Sequence, residues 1–164
     1  MSSHSADAIL FPGFRTFDID AGGLSIHGII GGSGPPVLLL HGYPQTHAIW
    51  HLIAPELAKS FTVIATDLTG YGDSAKPVTD AQHSPYRKGA MARDQVRAMA
   101  ALGFERFHLV GHDRGGRVAH RLALDFPDAV QTLTVLDIAP TLHMYRNTCL
   151  LYTSPSPETE ADLV

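Results

Sequence analysis

One pattern recurs along this chain and leaves few folds open to it: a short unbroken apolar run, a glycine-rich polar turn, then a stretch with helical spacing. Val37-Leu38-Leu39-Leu40 is too short for a helix and lacks the alternation of a half-buried strand, so it suits a strand covered on both faces. Phe61 to Thr66 and Arg106 to Gly111 repeat the pattern, each preceded by a helical stretch, Ala48 to Lys59 and Pro85 to Leu102. A further strand is expected over Ala129 to Ile138, after a helix that starts near Gly115 and stops at Pro127. Ahead of them, Phe14 to Asp20 and Leu24 to Ile30 alternate apolar and polar side chains around Ala21-Gly22-Gly23, which reads as a hairpin. Alternation of strand and helix implies right-handed βαβ crossovers and an α/β architecture, a mostly parallel sheet with helices on both faces.

Composition narrows the function classes. With 45% hydrophobic and 17% charged residues in 164, the chain can bury a core, which a charge-dominated disordered composition could not. Its formal charge of −4 and lack of a long basic cluster argue against nucleic acid as a partner. No apolar run approaches the roughly 20 residues that span a bilayer, and Met1 to Ala8 lacks the basic and apolar blocks of an export signal. The expectation is a cytoplasmic protein with no membrane partner. The single cysteine, Cys149, can make neither an internal disulfide nor a cysteine metal cluster. Residues 1–13 are expected to be an amino-terminal extension and 14–146 the core domain. Residues 147–164 read as an unstructured tail, closer to an adaptor-derived peptide than to the continuation of an enzyme.

In parallel sheets, ligands sit beyond the carboxyl ends of the strands. Those ends are polar here: His41-Gly42-Tyr43-Pro44, Asp67 to Ser74, Gly111-His112-Asp113-Arg114-Gly115-Gly116-Arg117 and Asp137-Ile138-Ala139-Pro140. Glycines at 111, 115 and 116 around one polar residue, between an apolar strand and a helix, match the strained strand-turn-helix corner that exposes a nucleophile. The residue at that corner is a carboxylate, Asp113. A carboxylate can attack an sp3 carbon and displace a leaving group, forming an alkyl-enzyme ester that water then cleaves. The competing reading is a tight connection in which Asp113 only caps a helix. Arg114 and Arg117, three apart on one helix face, can both aim guanidinium groups at a small anion above Asp113; alternatively they pair with Asp113, Asp128 or Asp137 for packing alone. The HGYP turn could simply end a buried strand, and Asp137 could merely satisfy turn amides ahead of Pro140.

HGYPQTHAIW, DLTGYGDSAKP, GHDRGGRVAHRLALDFP and VLDIAP together resemble the α/β-hydrolase superfamily and, within it, the haloacetate (fluoroacetate) dehalogenases, over about residues 14–146. The arginine pair separates this resemblance from the haloalkane dehalogenases and epoxide hydrolases, which usually carry tryptophan after the nucleophile. The resemblance implies an Asp113 nucleophile, Asp137 as the acid that orients a catalytic histidine, and substrate binding by Arg114 and Arg117. It further implies an oxyanion hole from the backbone N–H groups of Tyr43 and Arg114, and supporting hydrogen bonds from His41 and His112. The substrate expected is a small halogenated carboxylic acid, with no metal and no cofactor, and the full-length parent would be a homodimer.

The family's histidine, halide-binding cap and last strands lie beyond the residues given, so the expectation is an α/β-hydrolase fold truncated before the cap, without turnover. The rivals are an epoxide hydrolase and a non-catalytic fragment. His143 is the only histidine after Asp137; most of the others read as turn or surface residues, with no pair at convincing metal-ligand spacing. The sixth strand is expected to be an exposed edge rich in Val and Leu, prone to aggregation.

Overall fold

The computed structural model describes residues 3–140 together with Leu142 and Arg146; the expectations for His143, Cys149 and the tail at 147–164 lie outside the described residues. Its elements are helix α1 (Ser3–Leu10), strands β1 (Arg15–Asp20), β2 (Ser25–Gly32) and β3 (Pro36–Leu40), helix α2 (Ala54–Leu57), β4 (Thr62–Thr66), helix α3 (Lys88–Ala101), β5 (Phe107–His112), helix α4 (Arg114–Asp125) and β6 (Val130–Leu136). The hairpin and the four later strands fall where the sequence places them.

The six strands form one sheet in the order β1-β2-β4-β3-β5-β6. β3, β4, β5 and β6 run parallel, and β2 joins β4 antiparallel, carrying β1 on its outer edge. The central parallel strands β3 and β4 are buried on both faces, which is why their sequences are continuously apolar. Leu38 and Leu40 of β3 face a cluster with Ile64, Met91, Met99, Leu109, Val118 and Leu122 under α3 and α4. Val37 and Leu39, one step out of phase, face Phe11, Trp50, Ala54 and Val63 on the other side. A fully buried side chain such as Leu39 contributes about 1.5–3 kcal/mol.

One expectation is corrected. The helix over 48–59 is instead a 3-10 turn at His47–Trp50 followed by the single turn of α2. Pro55 is the cause: it lacks an N–H for the preceding turn, and here it sits in the first turn of α2, where no donor is needed. Pro12 and Gly13 close the amino-terminal segment, whose burial was not legible in the sequence. α1 delivers Phe11 into the core at 1% exposure and a buried Asp7 beside the sheet.

At the far side, β6 pairs with β5 alone among the described residues, and Leu133, Val135 and Leu136 remain substantially exposed, as expected for an edge. No described helix is long and apolar enough to cross a membrane.

Candidate active site

The chain leaves β5, turns through Asp113 and enters α4. Asp113 has φ 49° and ψ −116°, a conformation that a residue with a side chain adopts only when its surroundings impose it. Its N–H donates to the Leu136 carbonyl at 3.0 Å, and its own carbonyl accepts the N–H groups of Gly116 (2.9 Å) and Arg117 (3.2 Å). The flanking glycines permit close backbone approach. A Cβ on Gly111 would strike the Gly115 carbonyl, and one on Gly115 would strike the carbonyl oxygens of Leu40 and His41. The corner is therefore locked between β3, β6 and the first turn of α4.

Strand register decides what surrounds it. Leu40 of β3 lies opposite Gly111 of β5, and His112 lies opposite Leu136 of β6, so two residues further on Asp113 is flanked by the 41–43 turn on one side and Asp137 on the other. β3 is also where the strand order reverses direction, the place where open α/β sheets form their crevices. The Tyr43 N–H donates to Asp113 Oδ1 at 3.1 Å. Gly42 makes that contact possible: a Cβ there would lie 2.6 Å from Asp113 Cβ and 3.0 Å from both Oδ1 and His112 Nδ1.

Below this turn, His41 is fully buried and acts as a fastener. Its Nε2 accepts the Leu68 N–H (3.0 Å), so the hydrogen resides on Nδ1, which donates to the Gly42 carbonyl (2.8 Å). Burial holds this imidazole below its ordinary pKa, outweighing the Gly42 carbonyl and Asp67, which favour the cation. The turn after β3 is thereby tied to the turn after β4. Asp67 ties the same segments from the other side, accepting the His47 N–H (2.8 Å), His47 Nδ1 (2.9 Å) and the Asp73 N–H (2.9 Å). Burial would raise its pKa, but these contacts, led by His47, hold it at about 2.

The two arginines line two different cavities. The Arg114 guanidinium lies over the Tyr43 ring, 5.0 Å from its centroid, and lines a cavity of about 310 Å³ with Tyr71, Tyr86, Lys88 and Met91. Arg117, one turn on, lines a separate small pocket with His120, Val135 and Ile138. Its Nε is buried without a hydrogen-bond partner among the described residues, an unusual state for a donor that cannot shed its proton.

Asp137 ends β6 with φ 53° and an exposed side chain next to the elbow. His112 is half-buried, and its Nδ1 has no partner among the described residues. His27 and His47 correct the turn-or-surface reading of the other histidines: both are buried, each with polar partners that offset the loss of water. The sequence also gave no sign that Asp7, His27 and His47 converge. They stand twenty residues apart, on three elements, so no local spacing betrays them.

Residues 35–162 match the family described as alpha/beta hydrolase fold. A fluoroacetate dehalogenase from a Burkholderia species is 54% identical over 83% of this chain and 45% of its own length. A soluble epoxide hydrolase from Corynebacterium sp. (strain C12) is 43% identical over 73% of the chain and 40% of its own length. The chain thus spans less than half the length of the curated relatives it matches. Among solved structures, ALR0039 from Nostoc sp PCC 7120, an α/β hydrolase, superposes with a TM-score of 0.81 at 56% identity, over 84% of this chain and 47% of that one.

Proposed function

The chain belongs to the α/β-hydrolase fold family, and on that footing we propose that it carries the nucleophilic half of a haloacid dehalogenase site. Hydrolase chemistry is what its dehalogenase and epoxide hydrolase relatives have in common. The observation that carries the finer reading is the pairing of the Asp113 carboxylate with the Tyr43 N–H beneath a helix start bearing two arginines.

With Oδ1 held by Tyr43, the second carboxylate oxygen attacks the α-carbon of a 2-haloacid. A C–O bond forms, the carbon–halogen bond breaks, and halide leaves with the electron pair, giving an ester of Asp113 and a 2-hydroxy acid. The Tyr43 N–H then faces the oxygen on which charge develops when water adds to that ester, the position at which one such donor is worth about 3 kcal/mol. In the whole protein, a histidine oriented by Asp137 activates the water, and its cleavage restores the carboxylate. Arg114 grips the substrate's own carboxylate by leaving the Tyr43 ring, and Arg117 joins it by turning from the neighbouring pocket, where its Nε has no partner among the described residues. The partner is accordingly a small halogenated carboxylic acid.

The epoxide hydrolase relative supports a second reading in which the same oxygen opens an epoxide. One experiment separates them. The chain is exposed to bromoacetate or to an uncharged epoxide, quenched rapidly in acid, and its mass and peptides are mapped beside Asp113→Asn. A glycolate adduct on Asp113, absent from the variant, is expected. Adduct from the epoxide alone favours the second reading, and label confined to Cys149 or histidine overturns both.

A further inference from the structure

Away from the elbow, Asp7 of α1, His27 of β2 and His47 of the 3-10 turn after β3 meet in the interior, at 6%, 1% and 4% exposure. His47 Nε2 lies 3.1 Å from Asp7 Oδ1, and His27 Nε2 lies 3.4 Å from Asp7 Oδ2. One donor atom from each residue falls within 4.8 Å of the others. The far ring nitrogens are committed as well: His47 Nδ1 meets Asp67 Oδ1 and His27 Nδ1 meets Asp18 Oδ1, both at 2.9 Å. A carboxylate accepts only from N–H, so each Nδ1 carries hydrogen and each Nε2 turns towards the oxygens of Asp7. Lone pairs on both sides of that gap stay together only with a cation between them, either a proton on each Nε2 or one metal ion.

We propose that Asp7, His27 and His47 form a structural site for a divalent cation of the zinc type. Bonds of about 2.0–2.1 Å at tetrahedral angles set donor atoms about 3.3 Å apart; the three donor atoms here lie within 4.8 Å of one another, with one Asp7 oxygen turned to each imidazole, so the side chains close by a small adjustment around the ion. Imidazole with carboxylate suits zinc rather than magnesium or calcium, which take oxygen donors throughout. Asp18 and Asp67 supply the outer carboxylates that fix ring orientation around bound zinc. Charge balances: one divalent ion replaces the two Nε2 protons, which leave to solvent, and the net charge of the cluster is unchanged. Asp7 also lines a cavity of about 270 Å³ with Arg15 and Thr16, which brings solvent to one side of the cluster. Bound there, the ion staples α1 to β2 and to the segment that follows the Tyr43 turn. This reading is independent of the chemistry at Asp113.

The test uses the full chain, stripped with EDTA and titrated with zinc chloride by calorimetry, and with cobalt(II) by visible absorption. One ion per chain, a higher thermal midpoint and the intense visible bands of tetrahedral cobalt are expected. Asp7→Asn is expected to abolish this binding. Asp18→Ala, at a half-exposed side chain that the fold tolerates, is expected to weaken it roughly 10–100-fold. Equal zinc affinity in wild type, Asp7→Asn and Asp18→Ala, or only weak octahedral cobalt bands, overturns the site. Should Asp7→Asn not fold, the cobalt spectrum and Asp18→Ala decide alone.

Discussion

The backbone N–H of Tyr43 donates to Asp113 Oδ1 across 3.1 Å, joining residues seventy positions apart at the ends of two neighbouring parallel strands. That one contact orients the carboxylate by holding one of its two oxygens. It depends on the absence of a side chain at Gly42.

Gly42→Ala therefore tests the geometry directly. The added methyl group meets Asp113 Cβ at 2.6 Å, and the carboxylate must shift. Ester formation from bromoacetate is expected to slow on the order of a hundredfold, as displacements of about 1 Å do, with an unchanged far-UV circular dichroism spectrum. An unaffected labelling rate counts against the Tyr43 contact.

Charge selectivity should reside in the two arginines. Wild type is expected to prefer bromoacetate over bromoacetamide, and Arg114→Gln or Arg117→Gln to lose that preference by roughly tenfold to a hundredfold each, the worth of a charge-assisted hydrogen bond. Equal rates with the acid and the amide in wild type would remove the acid from the proposal.

His41 predicts a pH dependence of stability. Its folded pKa lies below the ordinary 6.5, so as pH falls past that value the unfolded chain takes up the proton first. The contribution is complete above pH 6.5 and is lost as pH drops through the folded value. Urea midpoints should decline below pH 6.5, and less steeply in His41→Gln. His41→Leu should be less stable at pH 8, by about 1–3 kcal/mol, because the Leu68 N–H loses its acceptor.

Phe11→Ala distinguishes a packed amino terminus from a loose one. At 1% exposure between α1 and the sheet, Phe11 is expected to cost about 3–5 kcal/mol on truncation, read from chemical unfolding. A loss under about 0.5 kcal/mol would mark the segment as dispensable.

Some of the site was legible in the sequence because it rests on covalent neighbours. The 111–116 glycines announce a corner with no room for side chains, and the apolar runs of β3 and β4 announce strands buried on both faces. The 48–59 stretch misled because its apolar spacing is helical, whereas Pro55 and the 3-10 turn before it divide the segment. The arginine pair was half legible: the spacing of three is local, but the direction of Arg114 depends on Tyr43, which only the pairing of β3 with β5 brings near.

The sequence by itself determined the alternation of strand and helix, the carboxylate at the bend and the positive charge that follows it, since each is written within a few consecutive residues. Tertiary structure alone decided that Tyr43 reaches Asp113, that His41 locks two turns together, and that Asp7, His27 and His47 meet. Those relations join residues 20 to 70 positions apart, and register and packing, which no local pattern encodes, set the distances between them.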